Sequence, residues 1–353
     1  MTAETIATPY PPARTAPPPA IVEGGRHRFG TYDGPIEDVN PQDVGTPGLP
    51  RWWRGWALKE WEAFQLGDDE WFVLGAVYDA KAIGLLQILA VHKEEATIRR
   101  WEVKLPSPKL HVARGLTGTR SHGHHAGFTI TIGNDLANGR LTVDASHPGR
   151  RGLAPLELHG LGSCGPEEAG HLVIVHPFDD ERALYSHKAM MPFDGSLRIG
   201  VEEVGLDPDR SFLILDDHHG EYPRPLRYDW LTGVRRGPDG RVEGFNLTDN
   251  QVRDPEVFNE NAIWLGPEVH RLPAISIDRP QGPWGPWHAH DRHGSVDVRF
   301  TPTVRSSLHV GPRRSLAEYY APYGWFEGTI EAEGASLAVD GFFGVGEQKL
   351  IRI

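Results

Sequence analysis

The chain has 353 residues, a formal net charge of -12 and an apolar fraction of 39%. That acidity, with no Lys/Arg-rich run, argues against non-specific nucleic-acid binding and against docking on an anionic membrane. One cysteine, Cys164, excludes an intrachain disulfide framework and a Cys-rich zinc site.

The N-terminal MTAETIATPYPPARTAPPPA has neither a basic n-region nor an apolar h-region, and no stretch approaches the ~20 residues of a membrane span. A soluble, cytoplasmic protein is expected. Ten of the first fifty residues are proline. Proline donates no backbone hydrogen bond, so residues 1–50 read as an extended arm that adds little to a core. The folded part is expected to start near Trp52 in RWWRGWALKEWEAFQL.

From there the pattern has period two. Runs at roughly 70–78, 83–92 and 97–105 are followed by GFTITIG, in which Phe128, Ile130 and Ile132 share one face. GRRGL near 149–153 reads as a connecting turn. The glycine-rich GLGSCGPEEAG precedes further strands near 171–176, 196–203, 211–216, 226–232, 242–248 and 261–265. SVDVRF and GTIEAEGASLAVDG continue the alternation, with one short helix expected around Arg314–Tyr320. Gly 41 and Pro 30 suit many short strands joined by turns. The reading is an all-β chain of two barrels or sandwiches: residues 51–170, then 171–353.

Three stretches carry chemistry. In SFLILDDHHG, Asp216 and Asp217 point to opposite faces at the end of an apolar run, followed by His218 and His219. Partial desolvation there would raise a carboxyl pKa and make it a general acid; alternatively, the cluster is a polar turn before Gly220. In RYDWLTG, Tyr228 and Trp230 share one face with Thr232, opposite Asp229; they form an aromatic wall or simple core. In GFNLTDNQVRDPEVFNENAIW, Asn246, Glu260 and Asn261 could orient a substrate or supply turn chemistry. SHGHH and WHAHDRHG place His122 with His124 and His288 with His290 on one strand face, a legitimate metal-ligand spacing. Their glycine and charged flanks read as exposed loops instead, so no metal and no cofactor is expected. No GxGxxG follows an expected strand, and there is no P-loop or GxSxG motif.

The order YSHKAMMPFDGSLRIG, LDDHHG, RYDWLTG, GFNL, NENAIW, VDVRFTP, YGWFEGTIEAEG and FFGVGEQ resembles the bacterial family called domain of unknown function 2804, over most of residues 50–353. That family is more distantly similar to the double-lipocalin group containing hydroxyneurosporene hydratase. The resemblance implies two lipocalin-like antiparallel barrels packed together. It places a strand-end aspartate at Asp216, aromatics at Tyr228 and Trp230, an asparagine at Asn246, a Glu-Asn pair at Glu260 and Asn261, and a late glutamate at Glu347. The family often shows Asp-Trp where this chain has Asp217 and two histidines. The expected function is a hydratase or dehydratase, another lyase, or an isomerase, acting inside a barrel pocket on a small, partly apolar molecule. Asp216 or Asp217, His218 and Glu260 would be catalytic. Tyr185, Lys188, Tyr228, Asp229, Trp230, Asn246, Asn261 and Trp264 would contact substrate. The alternatives are a carrier of a hydrophobic small molecule and a metal-assisted lyase or hydrolase using the histidine clusters. No nucleic acid or membrane partner is expected.

Overall fold

A computed structural model describes residues 10–44, 55–81, 83–310 and 316–352. Among them the regular structure is antiparallel strand, with three short 3-10 turns. Two large sheets account for nearly all of it. The first runs, from edge to edge, through Thr97–Leu105, Gly84–His92, Trp71–Asp79, Leu58–Gly67, Phe212–Glu221, Ala183–Ile199, Leu156–Ser163, Arg140–His147, Phe128–Asp135, Thr117–His125 and Leu110–His111. The second runs through Glu268–Arg271, Ala262–Leu265, Val242–Asn250, Leu226–Arg236, Phe343–Ile351, Tyr323–Ala332, Val296–Val304, Trp287–Asp291 and Ile275–Asp278. The two lobes expected from the sequence are therefore present. Their boundary lies between Glu221 and Leu226, not near residue 170, because the strands from 170 to 221 complete the first sheet.

Each sheet curls back on itself. Leu110–His111 and Thr117–His125 come up against Trp71–Asp79, and Ile275–Asp278 against Val242–Asn250. The bend in the first sheet is set by Ala183–Ile199, which pairs with Gly170–Pro177 and Phe212–Glu221 in its first part and with Leu156–Ser163 and Glu202–Leu206 in its second. Pro192, with no N–H to donate, sits where partners change. Beyond it Gly195 lies so close to the opposite strand that a β-carbon there would strike the His159 carbonyl.

Alternation then sorts side chains between three cores. Leu213, Leu215, Ala189 and Met191 face into the first curl with Phe64, Trp101, Ile130 and Val143. Leu231, Phe245, Trp287, Phe300 and Phe326 fill the second. Phe212, Ile214 and Met190 face outwards and pack against Trp230, Trp264, Tyr323 and Phe343 of the other sheet. Both curls are thus filled by their own side chains, and the two sheets are joined through their outer faces. At this contact Gly244 allows the approach, since a β-carbon there would strike the Met190 sulfur.

Three expectations change. The arm is not peripheral: Gly30–Tyr32 pairs with Gly170–Pro177, and Ile21, Ile36 and Val39 are buried against Val173, Val175 and Tyr185. Prolines are compatible with this because the arm contributes few ladder hydrogen bonds and many side-chain contacts. The expected helix is a strand over Ala317–Tyr320, paired with Phe343–Ile351; its earlier part and Trp52 lie outside the described residues. The histidine runs are strands, Thr117–His125 and Trp287–Asp291. His288 and His290 pair with Asp297 at 2.8 Å and Asp278 at 3.1 Å. No group of three or more His, Cys, Asp and Glu among the described residues is placed to hold a metal ion. No helix there is long and apolar enough to cross a membrane.

The arm generates a direct test. Ile36 is 1% exposed, so Ile36→Ala is expected to cost about 2–5 kcal/mol. Differential scanning calorimetry should show a clear fall in Tm; an unchanged Tm would mean that the arm does not belong to the core.

Candidate active site between the two sheets

The outward faces of both sheets do not meet everywhere. Where they part, they leave a cavity of about 1130 Å³. The first sheet supplies Trp61, Gln65, Tyr78, Lys188, Asp216 and His218; the second supplies Tyr228, Trp230, Thr248, Tyr319, Glu347 and Lys349, with Glu260 from the segment before Ala262. The pocket expected inside a barrel is therefore between the lobes, because the barrel interiors are already packed.

Alternation along two adjacent strands builds its acid-base end. Lys188 and Asp216 are cross-strand partners in the ladder, and the Lys188 ammonium donates to Asp216 Oδ1 at 2.5 Å. His218 Nε2 lies 2.9 Å from the same oxygen and 3.0 Å from Ser186 Oγ. Its ring stacks on Trp61 at 4.5 Å between centroids, and Trp61 stacks in turn with Tyr222. Glu260 approaches from the second sheet, 3.9 Å from Lys188 Nζ and 3.4 Å from His176 Nε2. Burial alone would raise both carboxyls. For Asp216 the charges of Lys188 and His218 outweigh it and hold the group well below the usual carboxylate range. Glu260 is held at about 2, chiefly by His218 and His176. The raised pKa expected for Asp216 is thus reversed: the buried lysine opposite it was not weighed against desolvation.

The other end is organised around Glu347. Tyr228 donates to Glu347 Oε2 at 3.1 Å, Tyr319 donates to Oε1, and Lys349 donates to the Tyr228 hydroxyl at 2.7 Å. Lys349 sits among the rings of Trp61, Tyr78, Tyr228 and Tyr319, 4.9–5.7 Å from their centroids. Here burial wins. It raises the Glu347 carboxyl, assisted by the charge of Asp216 against the opposing pull of Lys349, and lowers the Lys349 ammonium.

Six of the expected site residues line the cavity: Lys188, Asp216, His218, Tyr228, Trp230 and Glu260. Six do not. Asn246 sits behind Trp230, accepting its indole N–H at 2.6 Å and donating to the Glu260 carbonyl at 2.7 Å, so it positions both. Asn261 bonds the Thr248 N–H and the Pro273 carbonyl. Trp264 is buried between the sheets and donates to the Gly170 carbonyl. Asp229 faces away and pairs with Arg279 at 2.5 Å. Tyr185 and Asp217 occupy odd positions, on the face away from the cavity: Tyr185 packs against Ile21, Ile36 and Val39 of the arm, and Asp217 is fully buried. Missing from the expectation were Trp61, Tyr78, Tyr222, Tyr319 and Lys349. For Trp61 the signal was available: in LKEWEAFQLG it shares a face with Lys59, Ala63 and Gln65.

Asp217 belongs to a second buried polar group. It lies 3.2 Å from His219 Nε2, whose Nδ1 faces Glu60 at 3.1 Å. Glu62 accepts from Ser121 and from Asn134. Burial, then the charge of Asp217, raises Glu62 to about 8. Burial would lower His219, but Asp217 and Glu60 overcome it and raise the ring to about 9. Both folded values exceed the ordinary ones of 4.5 and 6.5. Their stabilisation is therefore complete below those ordinary values and is lost as pH rises through the folded ones. Thermal scans are expected to show Tm falling from pH 7 to pH 9.5, with a shallower fall for Glu62→Gln; an identical slope in that variant would contradict the assignment.

Comparison with known proteins adds three findings. No curated protein sequence matches the chain. The crystal structure of kievitone hydratase from Nectria haematococca is similar with a TM-score of 0.42 and 14% identity, covering 83% of this chain and 88% of that one. A family model, described as domain of unknown function 2804, matches residues 14–352. That span takes in both sheets, the arm from Arg14 onwards and every residue lining the cavity, and the chain belongs to this family.

Proposed function

We propose that the protein is an acid-base enzyme that adds or removes water, or shifts a double bond, on a small organic molecule with an apolar body held between the two sheets. The observation that carries this reading is the pair of carboxyls facing one cavity from opposite sheets, with pKa values driven apart. Asp216 is held ionised by Lys188 and His218, and Glu347 is raised by burial. A base and an acid across one chamber are what elimination and hydration need.

In the elimination direction, Asp216 removes a proton from carbon and the released electron pair forms the double bond. Glu347 protonates the departing hydroxyl, which leaves as water. Lys188 and His218, both within hydrogen-bond distance of Asp216, hold it ionised and oriented for that step. Hydration is the reverse. Tyr228 and Trp230, with Lys349 and Lys188 over their rings, wall the chamber beside the substrate's apolar body. Asn246 fixes the Trp230 ring and, through the Glu260 carbonyl, the segment that carries Glu260.

The test begins with mass spectrometry of the small molecule that co-purifies, followed by turnover in oxygen-isotope-labelled water. Asp216→Asn is expected to fold, to bind, and to lose turnover by about 10²–10⁴-fold. Asp217→Asn, on the other face, should lower Tm and leave kcat nearly unchanged. A ligand returned unaltered by wild type would make the protein a carrier, and full activity in Asp216→Asn would remove Asp216 as the base.

The raised Glu347 also fixes a pH dependence. Its acid form is lost as pH rises through its elevated value, so kcat should fall on the alkaline side. Glu347→Gln should lower kcat and abolish that alkaline limb. Persistence of the limb in the variant would assign the acid to another group.

A further inference from the structure

Resting on the reading of the chamber as a substrate site, we infer that its substrate is an amphiphilic anion, with an apolar body between the sheets and an anionic group held at a cationic mouth. Lys59, Lys104 and Arg224 line the cavity where it opens. Lys104 and Arg224 are exposed and Lys59 is half-buried. None of the three has a carboxylate within ion-pair distance among the described residues. Lys59 donates to the Ala80 carbonyl at 3.2 Å. Two further cations at the opening are already engaged, Arg182 with Asp179 and Arg352 with Glu318. Two acids also line this end, Glu181 and the buried Glu221.

This local excess of positive charge stands on a chain whose net charge is -12. Like charges placed together without partners repel, and Arg224 adds to the burial that already lowers the Lys59 ammonium. An anion at the mouth removes that repulsion. Beside the cations the rim carries Trp56, 57% exposed, and Ile83, 46% exposed, two of the few large apolar side chains left in solvent. Behind them the walls are Trp61, Leu74, Ala76, Tyr78, Leu85 and Leu226. Exposed cations and exposed apolar side chains thus share the opening, with apolar and aromatic walls behind them beside the buried charged groups, an arrangement that suits a molecule with one charged end. A neutral apolar ligand would leave the mouth cations unanswered, and a small hydrophilic anion would leave the chamber unfilled.

Two dyes that differ only by a sulfonate test this: anilinonaphthalene sulfonate and its uncharged parent, phenylnaphthylamine, both followed by fluorescence titration. Wild type is expected to bind the sulfonate roughly three- to tenfold more tightly than the parent, from two or three partly exposed charge contacts, with the difference shrinking at high salt. Lys104→Ala with Arg224→Ala, both at exposed positions, should erase the difference while leaving the parent dye's affinity unchanged. Ala76→Trp, which fills the chamber from one wall, should block both dyes. Equal affinity for the two dyes, each blocked by Ala76→Trp, overturns the inference and leaves the chamber as a ligand site. If neither dye binds in a manner that Ala76→Trp blocks, the chamber reading fails as well. Co-sedimentation with phosphatidylglycerol vesicles that the double variant loses, without dye entering the chamber, also overturns it, in favour of a membrane-docking face.

Discussion

The two-residue repeat of a β-strand is the constraint on which this molecule rests. Phe212–Glu221 lies at the middle of the first sheet, and successive side chains must leave it on opposite sides. Its odd positions, Leu213, Leu215, Asp217 and His219, go inwards to a closed interior. Its even positions, Phe212, Ile214, Asp216 and His218, go outwards to the second sheet. The first half of each face is apolar and serves as core; the second half is ionisable. A shift of one residue in the pairing with Ala183–Ile199 would put Asp216 into the packed interior and Leu215 into the cavity. Register therefore fixes the core and the site together.

The same constraint explains how one short run of titratable groups yields two unlike environments. Outwards, Asp216 meets Lys188 across the ladder, and the pair's charges overcome the cost of burial. Inwards, Asp217 meets Glu62 and His219, where two carboxyls compete and one takes up a proton. Each cluster draws partners from strands far away in sequence: Leu58–Gly67 contributes Trp61 to one and Glu60 with Glu62 to the other. Burying charge in this way is costly, and such groups persist where partners are fixed by a rigid ladder.

Much of this was legible in the sequence. Alternation in SFLILDDHHG and RYDWLTG correctly divided Asp216 from Asp217 and Tyr228 with Trp230 from Asp229, because face is a local property of a strand. The direction of the Asp216 shift was not local: it depends on Lys188, on the neighbouring strand 28 residues earlier. The placement of Asn246 behind Trp230, not beside the ligand, depended likewise on the loop that brings Glu260 back. The arm was misjudged for a related reason. Proline content reports the loss of backbone donors, whereas Ile21, Ile36 and Val39 are held by side-chain packing, which no local propensity measures. The lobe boundary was misplaced because a glycine-rich turn between two strands of one sheet looks the same as a turn between sheets.

The site is shared between lobes that have separate interiors and are joined by the short link after Glu221. Lys188, Asp216 and His218 ride on one lobe; Tyr228, Glu260 and Glu347 ride on the other. Glu260 reaches Lys188 and His176 across the lobe boundary, and the charge of Asp216 adds across it to the raised Glu347; both depend on the apolar seam of Phe212, Ile214, Met190, Trp230, Trp264 and Phe343. A slight parting of that seam would admit water beside Glu347 and Glu260 and relax both carboxyls towards ordinary values, with each curl still intact. Loss of the site's geometry on heating would accordingly precede loss of secondary structure.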